Sequence, residues 1–158
     1  MAGTSTARAR ADNPYARVTT VLGESRTRIH TPIELHDWII QGLPRYTAVH
    51  LVTHLQELKL DETMKALNIS LRTWQRIKSD KLAMSEPLDA DQSARVWNMA
   101  EILAKAEQVL GTREEAEQWL SRPVLGLDSR RPIDLMASPQ GAQLVKTLLE
   151  QMEYGVYA

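Results

Sequence analysis

Apolar residues at positions 96, 99, 103, 106 and 110 repeat at intervals of 3, 4, 3 and 4. That rhythm puts Val96, Met99, Leu103, Ala106 and Leu110 on one stripe of a helix and on no single face of a strand. Asp89 with Gln92 opens the helix as a capping box, and Gly111 stops it after about six turns. The same stripe has the spacing of a dimer seam, but it covers barely two heptads, too short for a coiled coil.

The rest of the chain reads as further helices. Thr31-Pro32-Ile33-Glu34 starts the first firm one, with Thr31 capping, Pro32 where its missing N–H costs nothing, and Glu34 closing a capping box. Ile33, Trp38 and Ile39 are its expected apolar contacts, and Gly42-Leu43-Pro44 ends it. A second helix carries Ala48, Leu51, Val52, Leu55 and Leu58 on one stripe. Asp61 opens a short helix through Leu67, Ser70 opens another to about Lys78, and residues 80–87 are a break. Thr112 with Glu115 caps a helix bearing Ala116, Trp119 and Leu120. Residues 121–131 are irregular, punctuated by Pro123 and Gly126. Pro132 starts a short turn of helix ending near Met136. Ser138-Pro139 opens the last helix, with Ala142, Val145, Leu148, Leu149 and Met152 inward and Gly155 at its close. No two segments have hairpin chemistry. The expectation is an all-α protein of about eight helices.

Composition agrees. The 158 residues include no Phe and no Cys, with seven Gly and seven Pro, whereas sheets draw on aromatic and β-branched residues. Without Cys there is no disulfide scaffold, thiolate zinc site or thiol nucleophile. No apolar run approaches the roughly 20 residues that span a bilayer. The first ten residues lack an apolar h-region, so no secretory signal is expected and a cytoplasmic setting fits.

The formal net charge of −1 argues against nucleic-acid binding through bulk charge. Its distribution is uneven: residues 1–30 hold five Arg against Asp12 and Glu24, whereas residues 101–158 hold six basic against nine acidic residues. Residues 1–30 read as a flexible basic arm, with a short ordered piece around residues 18–22. Such an arm is either a solvated leader or a segment that touches DNA phosphates or a second subunit.

Residues 63–77, TMKALNISLRTWQRI, have the pattern of a helix-turn-helix. Leu67, Ile69, Trp74 and Ile77 fall at buried spacings. Asn68 stands at the turn, the best choice after Gly for a left-handed residue. Ser70 caps a second helix whose free face presents Arg72, Thr73, Gln75, Arg76 and Lys78, side chains that donate to phosphates and base edges. Met64 occupies a place where a small residue is common. The competing reading is an ordinary helical corner with a solvated basic face.

The C-terminal third carries Trp119-Leu120, Pro123, Leu125-Gly126, Arg131-Pro132, Asp134-Leu135, Ser138, Gly141-Ala142, Val145, Leu149 and Gly155, in that order. This resembles the toxin-binding C-terminal domain of the Xre/MbcA/ParS antitoxin family over about residues 95–158. The upstream helices resemble the Xre-like N-terminal part more loosely. The resemblance implies a helix-turn-helix domain at 31–88 and a toxin-binding domain at 89–158, and the flexible arm at 1–30 lies outside it. It further implies a type II toxin–antitoxin pair whose toxin is a RES-domain protein that consumes NAD⁺. The antitoxin would cover that active site and bind its own operon promoter, without being an enzyme and without a cofactor. A homodimer within a hetero-oligomeric complex is expected, because operator binding and toxin bridging both favour paired subunits.

The candidate toxin-binding residues are Trp119, Arg130, Arg131, Glu150, Glu153, Tyr154, Gly155, Val156, Tyr157 and Ala158. Gly155 lets the chain leave the helix sharply, and residues 154–158 are read as an apolar plug that enters or rims the toxin's NAD⁺ pocket. Glu150 and Glu153, spaced i,i+3, add negative charge beside it. The alternative is that Tyr154 and Tyr157 fold back on Trp119. Arg130 and Arg131 are either a solvated pair or a rim contact, and Asp134 is a first-turn helix charge. His50 and His54, i,i+4 without an intervening Glu, are read as a surface or half-buried pair and not a metal site. A stand-alone transcriptional regulator without a toxin is the runner-up.

Overall fold

The computed structural model describes residues 13–24 and 29–155. It is all-α, with nine α-helices and no strand among the described residues. These are α1 (Ala16–Val21), α2 (Pro32–Gln41), α3 (Arg45–Thr53), α4 (Leu60–Leu67), α5 (Leu71–Ser79), α6 (Ala90–Leu110), α7 (Arg113–Leu120), α8 (Pro132–Leu135) and α9 (Pro139–Glu153). Short 3-10 turns occupy Lys81–Ala83 and Leu125–Leu127.

The long helix α6 is the axis of the molecule. Asp89 accepts from the Gln92 N–H at its start and Gly111 ends it. Val96, Met99, Ala100, Ile102, Leu103 and Ala106 are all fully buried, because α1, α2, α3, α4, α7 and α9 pack around it. One continuous hydrophobic cluster runs from Val18 to Leu149. The stripe at 96–110 is therefore filled from within the chain.

Two local expectations are adjusted. The short ordered piece expected around residues 18–22 of the arm is present and begins earlier, with residues 16–21 forming α1 packed on the core. Val18 and Leu22 are buried, Tyr15 sits 6.0 Å from Trp97 between ring centroids, and Asn13 Nδ2 donates to the Ile29 carbonyl at 2.8 Å. Four apolar side chains are enough to dock one and a half turns on α6, too short a stretch to show a period. The remainder of that arm, residues 1–12 and 25–28, lies outside the described residues. The second correction concerns Ile33, which is 65% exposed; Leu35, Trp38 and Ile39 make the contacts of α2, with Trp38 edge-on to Trp97 at 6.2 Å.

Helix α3 also ends earlier than its stripe suggested. It stops at Thr53, and Leu58 reaches the core from a loop. The cause is distant in sequence: fully buried Glu117 of α7 accepts the Gln56 and Glu57 N–H groups at 3.0 and 2.6 Å. A carboxylate that satisfies two loop donors makes it cheap for the chain to leave the helix. Gly42 is demanded by packing, since its φ is +99° and a Cβ there would lie 2.3 Å from the Leu88 carbonyl oxygen.

Candidate functional site

Two surfaces carry the residues singled out from the sequence. The first is built by α4, its turn and α5. Asn68 adopts φ 52°, ψ 43° and donates through Nδ2 to Asp91 Oδ2 at 3.1 Å. Ser70 caps α5 by accepting the Thr73 N–H at 3.1 Å, and its hydroxyl donates to Thr73 Oγ1 at 2.8 Å. Trp74 and Ile77 are buried against the core, and so is Met64, which fits where a smaller residue was expected. Arg72, Gln75, Arg76 and Lys78 are exposed on the outer face of α5, while Thr73 is half-buried beside its cap. No ion pair engages Arg72, Arg76 or Lys78 among the described residues. An uncompensated basic face of this kind meets phosphate well.

The second surface is built by α7, the loop to α8, and α9. Gly141 sits so close to α8 that a Cβ would lie 1.9 Å from the Leu135 carbonyl oxygen, so glycine sets the approach of α9. The loop is tied by the Ser129 N–H to the Val124 carbonyl at 3.0 Å and by the Val124 N–H to Arg130 at 3.1 Å. Asp128 and Ser129 both take positive φ, which turns the chain back. At its tip Leu125 is 86% exposed.

The candidate toxin-facing residues divide. Arg131 is held internally: Nε and Nη2 bind Asp134 at 2.9 and 2.8 Å, and Nη1 binds Glu62 of α4 at 2.7 Å. The hydrogen bonds it donates to Asp134, then to Glu62, raise the guanidinium pKa above its ordinary value. Glu153 is likewise engaged, by Lys105 and by Gln108 Nε2 at 2.8 Å. Trp119 is half-buried against the core. Arg130, Glu150, Tyr154 and Gly155 are exposed. Tyr154, 77% exposed, does not fold back on Trp119. Gly155 takes φ +64° with nothing within 4 Å of a Cβ position. Val156, Tyr157 and Ala158 lie outside the described residues.

His50 and His54 stack at 4.1 Å, and each turns Nδ1 to a carbonyl, that of Val21 at 3.1 Å and that of His50 at 2.7 Å. A groove of about 570 Å³ between α1, α6 and α9 is lined by Asn13, Arg17, Lys105, Lys146 and Glu150 among others. Three features were missed in the sequence: buried Glu117, the displayed Leu125, and the outward Ile33 and Ile40 of α2. Periodicity ranks residues by face, and none of these follows its face.

The family model described as the Antitoxin Xre/MbcA/ParS C-terminal toxin-binding domain matches residues 105–155. An Antitoxin Xre of Pseudomonas putida is 31% identical over 122 residues, covering 77% of this chain and 72% of that protein. An Antitoxin Xre of Photorhabdus laumondii is 26% identical over 117 residues, covering 73% and 76%. A Prs ADP-ribosylating antitoxin of a Sphingobium species is 28% identical over 102 residues, covering 59% and 62%. The chain belongs to the Xre/MbcA/ParS antitoxin family, and its partner is a toxin. No helix among the described residues is long and apolar enough to cross a membrane.

Proposed function

We propose that this antitoxin neutralises a RES-domain, NAD⁺-consuming toxin by covering its active site with the 89–158 module. The observation that carries the reading is the toxin-binding family match over residues 105–155, which ends on the exposed Tyr154 and Gly155. ADP-ribosylation, the chemistry in the Sphingobium relative's name, consumes NAD⁺. Arg130, Glu150 and residues 154–158 face the toxin, with Trp119, Arg131 and Glu153 holding that surface in shape. The test is to delete residues 154–158 and follow NAD⁺ loss with the RES toxin present. Loss of protection with the complex still formed supports the plug; full neutralisation by the shortened chain excludes it.

The 31–88 module serves as an operator-binding unit in this reading, through Arg72, Gln75, Arg76 and Lys78, with Thr73 bracing the start of α5. The exposed and unpaired basic face of α5 favours it. The pair acts in the cytoplasm, and two antitoxin chains act together, as a two-fold operator requires. Quantitative gel shifts on the promoter, with and without toxin, measure this activity.

A further inference from the structure

Helix α9 divides into three sectors. Gly141, Ala142, Val145, Leu148 and Leu149 fall on one arc of about 120° and are buried. Lys146, Glu150 and Glu153 form a charged edge, where Lys146 donates to Asn98 Oδ1 at 2.7 Å and Glu153 is held by Lys105. The remaining arc, about 100° wide, is exposed and holds Gln140, Gln143, Leu144, Thr147, Gln151 and Tyr154. It runs the length of the helix, about 22 Å, and carries no charge. The exposed faces of α4, α5 and α7 do carry charge, at Lys65, Arg76 and Glu114 among others. Beside the strip, the 3-10 turn at Leu125–Leu127 packs against α9, with Leu127 buried and Leu125 outward. Leu125, Leu144 and Tyr154, at 86%, 57% and 77%, are the large apolar side chains exposed among the described residues of the toxin-binding match.

We propose that the toxin docks on this uncharged strip, with Leu125 and Leu144 as anchors, and that docking is separate from closure of the active site by residues 154–158. Three observations select this occupant. The strip lies within the segment matched as toxin-binding and runs into Tyr154, where the plug begins. Charge is absent from its centre and gathered along one edge, as in a protein interface with an apolar core and a polar rim. A strip without a cation offers nothing to phosphate, so nucleic acid is a poor fit. The toxin face that matches it is also uncharged and apolar at its centre, and lies outside the NAD⁺ cleft.

The two parts have different roles: the strip sets affinity, and the tail sets inhibition. Leu125 and Leu144 are solvated in the free chain, so the apolar surface they hide is gained only on docking. Charges at Arg130 and Glu150 lie at the rim, where they govern encounter more than affinity. This inference deepens the reading above and rests on its toxin partner, not on the chemistry of the toxin's active site.

The affinity of the full-length antitoxin for its cognate toxin is measured by calorimetry, alongside NAD⁺ loss. L125S/L144S is expected to weaken the complex at least about thirtyfold, and T147K at least about tenfold. Leu144→Met keeps an apolar anchor and is expected to stay within about threefold of wild type. Wild-type affinity is expected to change less than about threefold between low and high salt. The variants are expected to melt as the wild type does, because these side chains are exposed. Deleting residues 154–158 is expected to keep affinity within about tenfold while protection of NAD⁺ is lost. A double variant that binds the toxin as the wild type does overturns the inference. So does loss of self-association in that variant with toxin affinity unchanged, which assigns the strip to a second copy. A wild type that binds without protecting NAD⁺, with the double variant weakened, supports the strip and overturns the active-site reading.

Discussion

The guanidinium of Arg131 reaches 69 positions back along the chain to donate to Glu62 at 2.7 Å, while its other edge forks onto Asp134. One side chain thus ties the start of α8 to α4. That link joins the surface proposed to face the toxin to the helix that precedes α5, the helix proposed to face operator DNA.

Arg131→Lys is expected to lower the melting temperature almost as much as Arg131→Ala, because an ammonium cannot fork onto Asp134 while reaching Glu62. Added salt narrows the gap between wild type and variants, since the pairs are partly solvated. The sign with pH follows from a raised folded pKa. The stabilisation is fully present below the unfolded value and is lost only as pH climbs through the folded one. Thermal melts are therefore expected to show no contribution from Arg131 titration at neutral pH.

Glu117→Ala is expected to destabilise the protein by about 2–4 kcal/mol in urea unfolding. It removes a fully buried side chain and strands the Gln56 and Glu57 N–H groups. Glu117→Gln keeps an oxygen for those donors and is expected to cost less, about 1–2 kcal/mol.

Gly141→Ala leaves φ unstrained and fails by volume, because the new methyl meets the Leu135 carbonyl at 1.9 Å. Overpacking of this kind costs about 1–3 kcal/mol. The α8–α9 contact must open, so toxin affinity measured by calorimetry is expected to fall more than thermal stability alone explains.

Arg76→Ala is expected to weaken promoter binding about evenly across sequences and to reduce the salt slope by about 1. Asn68→Gly is expected to be near neutral for stability, since glycine accepts φ 52° as readily as Asn. Asn68→Val, β-branched at that angle, is expected to cost at least about 1 kcal/mol in the same urea assay.

Much of the molecule was legible before any coordinates. The caps at Thr31, Ser70, Asp89, Thr112 and Ser138 are all made as the residue types require. Asn68 takes the left-handed angle expected of it, and Val96, Met99, Leu103 and Ala106 of the 3-4 stripe are buried, with Leu110 partly so and Trp97, Ala100, Ile102 and Ala104 widening the buried face. These features depend on neighbours within about one turn, which is the range over which capping and periodicity act. Tertiary packing alone decided that residues 16–21 dock on α6, that α3 stops at Thr53, that Ile33 faces outward, and that Arg131 and Glu153 are spent on internal partners. Each of those outcomes turns on a group tens of residues away: Trp97, Glu117, Glu62 or Lys105. A local pattern says which faces are apolar or charged, but only the assembled chain says what meets them.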